Sequence, residues 1–176
     1  MSIRTFAAAL VAVALLAAPA LAHEVKVGSL TVTDLWTRAT PPGAPTAAGF
    51  LTITNAGDTP DKLVAASSPV ADHAELHVME MKGGVMSMHP VEGGGIDIPA
   101  NGSVTLAPSG LHIMFIGLKE ASKEGGKMPV TLTFDKAGKV DTFLHVMAIG
   151  ATGPDGGMVD HDMSGMDMSG DKPAGK

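Results

Sequence analysis

Histidine and methionine recur at close spacing between residues 77 and 114. The run reads His77-Val-Met79-Glu-Met81, then Lys82-Gly83-Gly84, then Val85-Met86-Ser-Met88-His89, and later His112-Ile-Met114. Imidazole nitrogen and thioether sulfur are both metal ligands, and the soft sulfur favours Cu(I). The chain has no cysteine. Disulfides and Cys-x-x-Cys redox cycling are therefore excluded. Neutral imidazoles and thioethers add no charge, which suits a monovalent ion. Methionine binds without losing a proton, whereas histidine must be neutral. Binding by these residues should weaken below about pH 6.

Strand geometry would bring them together. Gly83-Gly84 suits a two-residue hairpin loop, because glycine tolerates positive φ. Met81 then faces Met86, and Met79 faces Met88. Alternation puts His77, Met79, Met81, Met86 and Met88 on one face. Met88 becomes a diagonal neighbour of His77, with backbones roughly 7–8 Å apart. A three-residue loop, Lys82 to Gly84, would send His77 and Met88 to opposite faces. His112 and Met114 are two apart and share a face. If their strand meets the hairpin, the candidate site is His77, Met88, His112 and Met114. Packing or a hydrogen bond accounts for any one of these residues. Four together on shared faces favour a metal.

The remaining histidines and methionines divide. Met79 lies beside the site, as an outer ligand or as packing. His73, Met81, Met86 and His89 read as surface or supporting residues. His145-Val-Met147 repeats the His-x-Met pattern but reads as core and strand surface.

The elements that must position these residues show a period of two. Strands are expected at 25–27, 30–36, 48–54, 63–66, 74–81, 85–91, 96–98, 103–106, 111–117, 129–134 and 140–149. Thr40 to Pro45 is a loop, since adjacent prolines cannot feed a ladder. Gly93-Gly94-Gly95 is a flexible loop, and Leu118 to Gly125 has room for one helical turn. Short strands between Gly/Pro/Asn turns predict an all-β antiparallel sandwich or barrel.

The first residues read as an export signal. Arg4 precedes an apolar run from Phe6 to Leu16, and Ala20-Leu21-Ala22 offers a cleavage site after Ala22. The mature chain is then 176 − 22 = 154 residues, enough for one domain, 23–150, with its own core. No second long apolar run follows, so no membrane span is expected after processing. The formal charge of −6 gives no reason to expect nucleic-acid binding. From 151 to 176 apolar β-formers vanish, and the segment reads as a mobile tail. His161-Asp-Met163-Ser-Gly-Met166-Asp-Met168 makes that tail a candidate second copper site. Its imidazole and carboxylates suit Cu(II), and its thioethers suit Cu(I). Cleavage after Ala22 would also make His23 the first residue, whose amine and imidazole can chelate Cu(II) as in some copper oxygenases. Further histidines would be needed, and the sequence places none beside it. No Ser/His/Asp or paired-carboxylate arrangement supports hydrolysis.

Beyond the ligand run, Ile96-Asp-Ile-Pro99-Ala100, Leu106-Ala-Pro108-Ser-Gly110-Leu-His112-Ile-Met114, Gly117-Leu118-Lys119 and Leu132-Thr-Phe134 complete a pattern. With Glu75-Leu-His77 through Met88, it resembles the periplasmic copper chaperone family PCu(A)C. That family's motif is histidine, ten residues, methionine, about twenty-one residues, then His-x-Met. Here the first gap holds ten residues, and the second holds twenty-three, from His89 to Leu111. The glycine loop at 93–95 is the simplest place for the extra two. The resemblance implies a cupredoxin-like Greek-key fold and Cu(I) held by His77, Met88, His112 and Met114. It implies a copper carrier in the periplasm; the chain is expected to be a monomer and not an enzyme. Its expected acceptors are the copper A subunit of cytochrome c oxidase and Sco-type copper proteins. Handover needs a site at an exposed edge, because the acceptor's ligands must enter as the donor's leave. A copper-resistance or storage protein, with the tail as buffer, is the alternative.

Overall fold

The structure, a computed structural model, describes residues 23–157. The export signal and the tail residues His161, Met163, Met166 and Met168 lie outside the described residues.

Among the described residues, alternating side chains build eleven strands. In order they are β1 (Val25–Val27), β2 (Leu30–Arg38), β3 (Thr46–Asn55), β4 (Asp61–Ser67), β5 (His73–Lys82) and β6 (Val85–Pro90). Then come β7 (Ile96–Ile98), β8 (Gly102–Leu106), β9 (Leu111–Ile116), β10 (Lys127–Phe134) and β11 (Gly138–Met147). The ladder runs β6-β5-β9-β3-β2-β11-β10-β4-β7, with β1 beside β2 and β8 beside β3. All pairs are antiparallel except β11 with β2, which run parallel with His145 opposite Trp36. The all-β expectation therefore holds, with one parallel pair that local patterning does not encode.

β6 buries no residue, but one face of most strands fills the core. Ile53, Leu63, Ile98, Ile113, Phe115, Leu132 and Leu144 are fully buried there. Burial of each such side chain contributes roughly 1.5–3 kcal/mol. Gly49 allows the closest approach. A Cβ there would lie 2.8 Å from the Phe115 ring and 2.9 Å from Leu144.

The other face carries the chemistry. Ladder partners place His77 opposite His112, Glu75 opposite Met114, and Met114 opposite Ala48. Phe50 faces Trp36, and Arg38 faces Met147. A continuous outer surface thus runs from β5 across β9, β3 and β2 to His145 on β11. Trp36, Phe50 and Ala151 form a small second core on it, with Ala48 and Met147 against them.

Three expectations change. Leu118 to Gly125 forms no helical turn. Its backbone is engaged from elsewhere instead: Lys119 N–H donates to Val70 O at 2.9 Å, and Ser122 pairs with Thr40. Glu92–Gly94 forms a 3₁₀ turn, with Gly93 and Gly94 at φ of 76°. The fold also runs past Gly150, where composition suggested the tail begins. Ala151 is fully buried on Trp36 and Phe50, and its carbonyl accepts a 2.7 Å bond from Arg38 Nε. One small apolar residue over two rings ties this stretch down, too little for a compositional reading to detect.

Candidate metal centre

Two left-handed glycines set the site's register. Gly83 and Gly84 have φ of 61° and 82°, the conformation a two-residue hairpin turn demands. The ladder follows: Lys82 faces Val85, Met81 faces Met86, Met79 faces Met88, and His77 faces Pro90. This is the two-residue register expected from the sequence, so His77 and Met88 share a face as diagonal neighbours. On the other edge of β5, His77 lies directly opposite His112. The three strands β6, β5 and β9 therefore bring His77, Met88, His112 and Met114 to one patch of outer face.

The two histidines are tautomer-fixed. His77 Nε2–H donates to Glu75 Oε2 at 2.7 Å. That leaves Nδ1 with the lone pair, and this atom is buried with no hydrogen-bond partner. A buried ring nitrogen without a partner is costly in a resting protein. His112 Nδ1–H donates to Gly110 O at 3.0 Å, which leaves Nε2 as its lone-pair nitrogen. Each ring thus spends one nitrogen on orientation and keeps one for a ligand, the usual arrangement of metal-binding histidine. The ring centroids are 5.9 Å apart. An ion about 2 Å from one nitrogen of each ring places centroids roughly 4.5–6.3 Å apart, so the pair fits one ion.

Thioethers line the open side. Met79, Met88 and Met114 share a cleft of about 330 Å³ with His112, Arg38, Ala48, Phe50, Pro108 and Ser109. His77 and His112 are buried, at 8% and 3% exposure, whereas Met88 is 48% exposed. The expected exposed site is therefore half correct: imidazoles sit at the floor, and methionine forms the rim. Burial of the rings follows from their position between β6 and β3, with the second core beside them. Met79 lines the same cleft, so the structure places it with the four candidates.

The other candidates separate. Met81 and Met86 extend into solvent at 67% and 47% exposure. His73 meets Glu75 at 3.5 Å and His89 meets Glu80 at 3.6 Å, both near the surface. Glu75 is the residue that ligand-type reasoning passes over. Its position two before His77, on the same strand face, was the available signal.

Comparisons with known proteins agree on this architecture. The family model described as LpqE-like lipoprotein matches residues 30–146. A lipoprotein of Leifsonia xyli subsp. xyli is 36% identical over 103 residues, 58% of this chain. The match spans 60% of that curated relative's length. Among solved structures, the apo PCuAC domain from PmoF1 is 32% identical with a TM-score of 0.61. It covers 72% of this chain and 99% of that one. The copper-bound PCuAC domain from PmoF2 is 27% identical at the same TM-score, over 72% and 98% of the two chains. The Cu(I) form of DR1885 from Deinococcus radiodurans is 32% identical, with a TM-score of 0.53, over 73% and 82%.

Proposed function

The chain belongs to the LpqE-like PCuAC family of copper-binding domains with a cupredoxin-like fold, and from that premise we propose that it is an exported carrier of Cu(I). Copper is its cargo, held by His77, Met88, His112 and Met114, with Met79 in reserve. The observation that carries this reading is the buried, partnerless Nδ1 of His77, in a ring 5.9 Å from that of His112, whose cleft is lined by soft sulfur. Neutral nitrogen and thioether donors favour Cu(I) over harder divalent ions. The PmoF2 and DR1885 relatives are copper-bound and Cu(I)-bound proteins, which supports the same cargo here.

The half-open geometry suits transfer. Buried rings hold the ion, while Met88 at the rim yields to an incoming ligand. Acceptors would be the copper A subunit of cytochrome c oxidase and Sco-type copper proteins, reached in the periplasm after removal of residues 1–22. Among the described residues, no helix is long and apolar enough to cross a membrane. The proposed role is binding and transfer without turnover. We also propose that the tail assists. Thr152, Gly153 and Pro154 line a groove with Pro108, which also borders the copper cleft. His161 and the tail methionines would add donors for copper in either oxidation state.

Anaerobic Cu(I) competition against a chromophoric chelator tests the reading. The full mature chain should bind one tight equivalent that a His112→Ala/Met114→Ala variant loses. Equal binding by the variant would refute the assignment.

A further inference from the structure

Two further thioethers continue the line of the sulfur-rich centre outward. Met81 faces Met86 in the ladder, one pair beyond Met79 and Met88. Alternation puts both pairs on one face of the β5-β6 hairpin. The outer pair stands beside the turn, about 7 Å along the strands from the inner pair. The inner pair lines the copper cleft with His112 and Met114.

Packing does not account for the outer pair. Met81 is 67% exposed and Met86 47%. Among the described residues, four of the five exposed large apolar side chains lie on this hairpin: Met81, Val85, Met86 and Met88. Methionine in a core fills gaps, and these fill none. The turn does not need them either, because Gly83 and Gly84 supply its left-handed backbone. Glu80 and Lys82 alternate to the opposite face of the hairpin, where Glu80 meets His89 at 3.6 Å. Beside the turn, the hairpin's own donors on the Met81 face are therefore sulfur alone. Such a set suits a soft monovalent ion and not a hard divalent one.

Facing Cβ atoms stand about 4.5–5.5 Å apart. Two metal–sulfur bonds of about 2.3 Å span at most about 4.6 Å, and the three rotatable bonds of methionine let both sulfurs reach one ion. We propose that Met81 and Met86 form a second, weaker Cu(I) site at the hairpin tip, from which the ion passes to Met79 and Met88 and then to His77 and His112. The destination rests on the copper-carrier reading above. A diagonal step of about 7–8 Å lies within reach of long side chains, so an inner sulfur can bind the ion before an outer one lets go. Each exchange forms one bond from copper to sulfur or nitrogen as one copper–sulfur bond breaks. Copper stays Cu(I) throughout. No proton moves, because thioethers carry none and each imidazole already presents a lone pair. Two exposed donors hold the ion less tightly than the centre's imidazoles and thioethers, so transfer runs inward.

The test follows isotope-labelled methionine methyl groups by NMR as Cu(I), buffered by a chromophoric chelator, is added anaerobically to the full mature chain. The Met88 and Met114 signals should move with the first equivalent, and those of Met81 and Met86 should move together as more is added. Met81→Leu/Met86→Leu keeps the apolar bulk and removes both sulfurs. This variant should keep the tight equivalent and load it from the chelator at least tenfold more slowly in stopped flow. Met81 and Met86 signals that stay fixed would overturn the site. A variant that loads at the parent's rate would overturn the relay, and so would one that loses the tight equivalent, since the outer pair would then belong to the centre. In His112→Ala/Met114→Ala the Met81 and Met86 signals should still move; if they stay fixed there, the outer pair is no independent site. The centre's own assignment fails separately, through that variant binding Cu(I) as tightly as the parent.

Discussion

Glu75 is the sharpest test of how the sulfur-rich centre is built. Its carboxylate accepts from His77 Nε2–H at 2.7 Å and also meets His73 at 3.5 Å. The bond does two things for Cu(I) binding. It fixes the tautomer with the lone pair on Nδ1, and it holds the ring in position. Removing such an outer partner typically weakens metal binding about 10–100-fold. The Glu75 side chain is 42% exposed, so water replaces part of what it supplies. Glu75→Ala should therefore fall at the low end, about tenfold, equivalent to about 1.4 kcal/mol. Glu75→Gln retains an acceptor oxygen and should lose less than the alanine variant. The assay is anaerobic Cu(I) competition on both variants, with urea unfolding of the metal-free proteins as the control for fold. If Glu75→Ala binds Cu(I) as tightly as the parent, the carboxylate does not orient His77, and the tautomer argument fails. If Gln loses as much as Ala, charge matters and orientation does not.

Other outcomes follow from the fold. Gly84→Val places a β-branched residue at a φ of 82° and should cost about 1–2 kcal/mol in urea unfolding, whereas Gly83→Asn should be nearly neutral. Gly49→Ala pushes a methyl against Phe115 and Leu144 and should destabilise by about 1–3 kcal/mol, read as a lower melting temperature. Asp61 supplies a pH signature. Burial pushes its carboxyl up, but backbone N–H groups of Lys136, Lys62 and Ala137 and the Lys136 charge outweigh it, leaving it below the ordinary value. The depressed folded value means its stabilisation is fully present above about pH 4 and is lost as pH falls through that lower value. Asp61→Asn should therefore unfold more easily than the parent at pH 7, and the gap should close on acidification. A gap that stays constant down to pH 2 would contradict the hydrogen-bond account.

Much of the centre was legible because strand geometry is local. Period-two alternation and a Gly-Gly turn are enough to place His77, Met79 and Met88 on one face, and two-residue spacing does the same for His112 and Met114. Strand positions were readable for the same reason, with ends shifted by a residue or two where ladder partners extended them. Leu118 to Gly125 misled because its local pattern permits a turn, while its hydrogen bonds go to Thr40 and Val70, distant in sequence. The start of the tail misled because a single buried alanine carries little compositional weight.

Residue types and spacing carry the available chemistry: soft sulfur and imidazole without thiol, a signal-like leader, and a hairpin with two candidate registers around Gly83-Gly84. Which donors meet is set by tertiary pairing. Nothing local pairs β5 with β9, so nothing local sets His77 opposite His112. Nor does any local rule set the parallel pairing of β11 with β2 or bring His23 to His145, 122 residues further along. Such contacts follow from which apolar faces close the core together. That closure depends on the whole chain at once, whereas the alternation of a strand depends only on its neighbours.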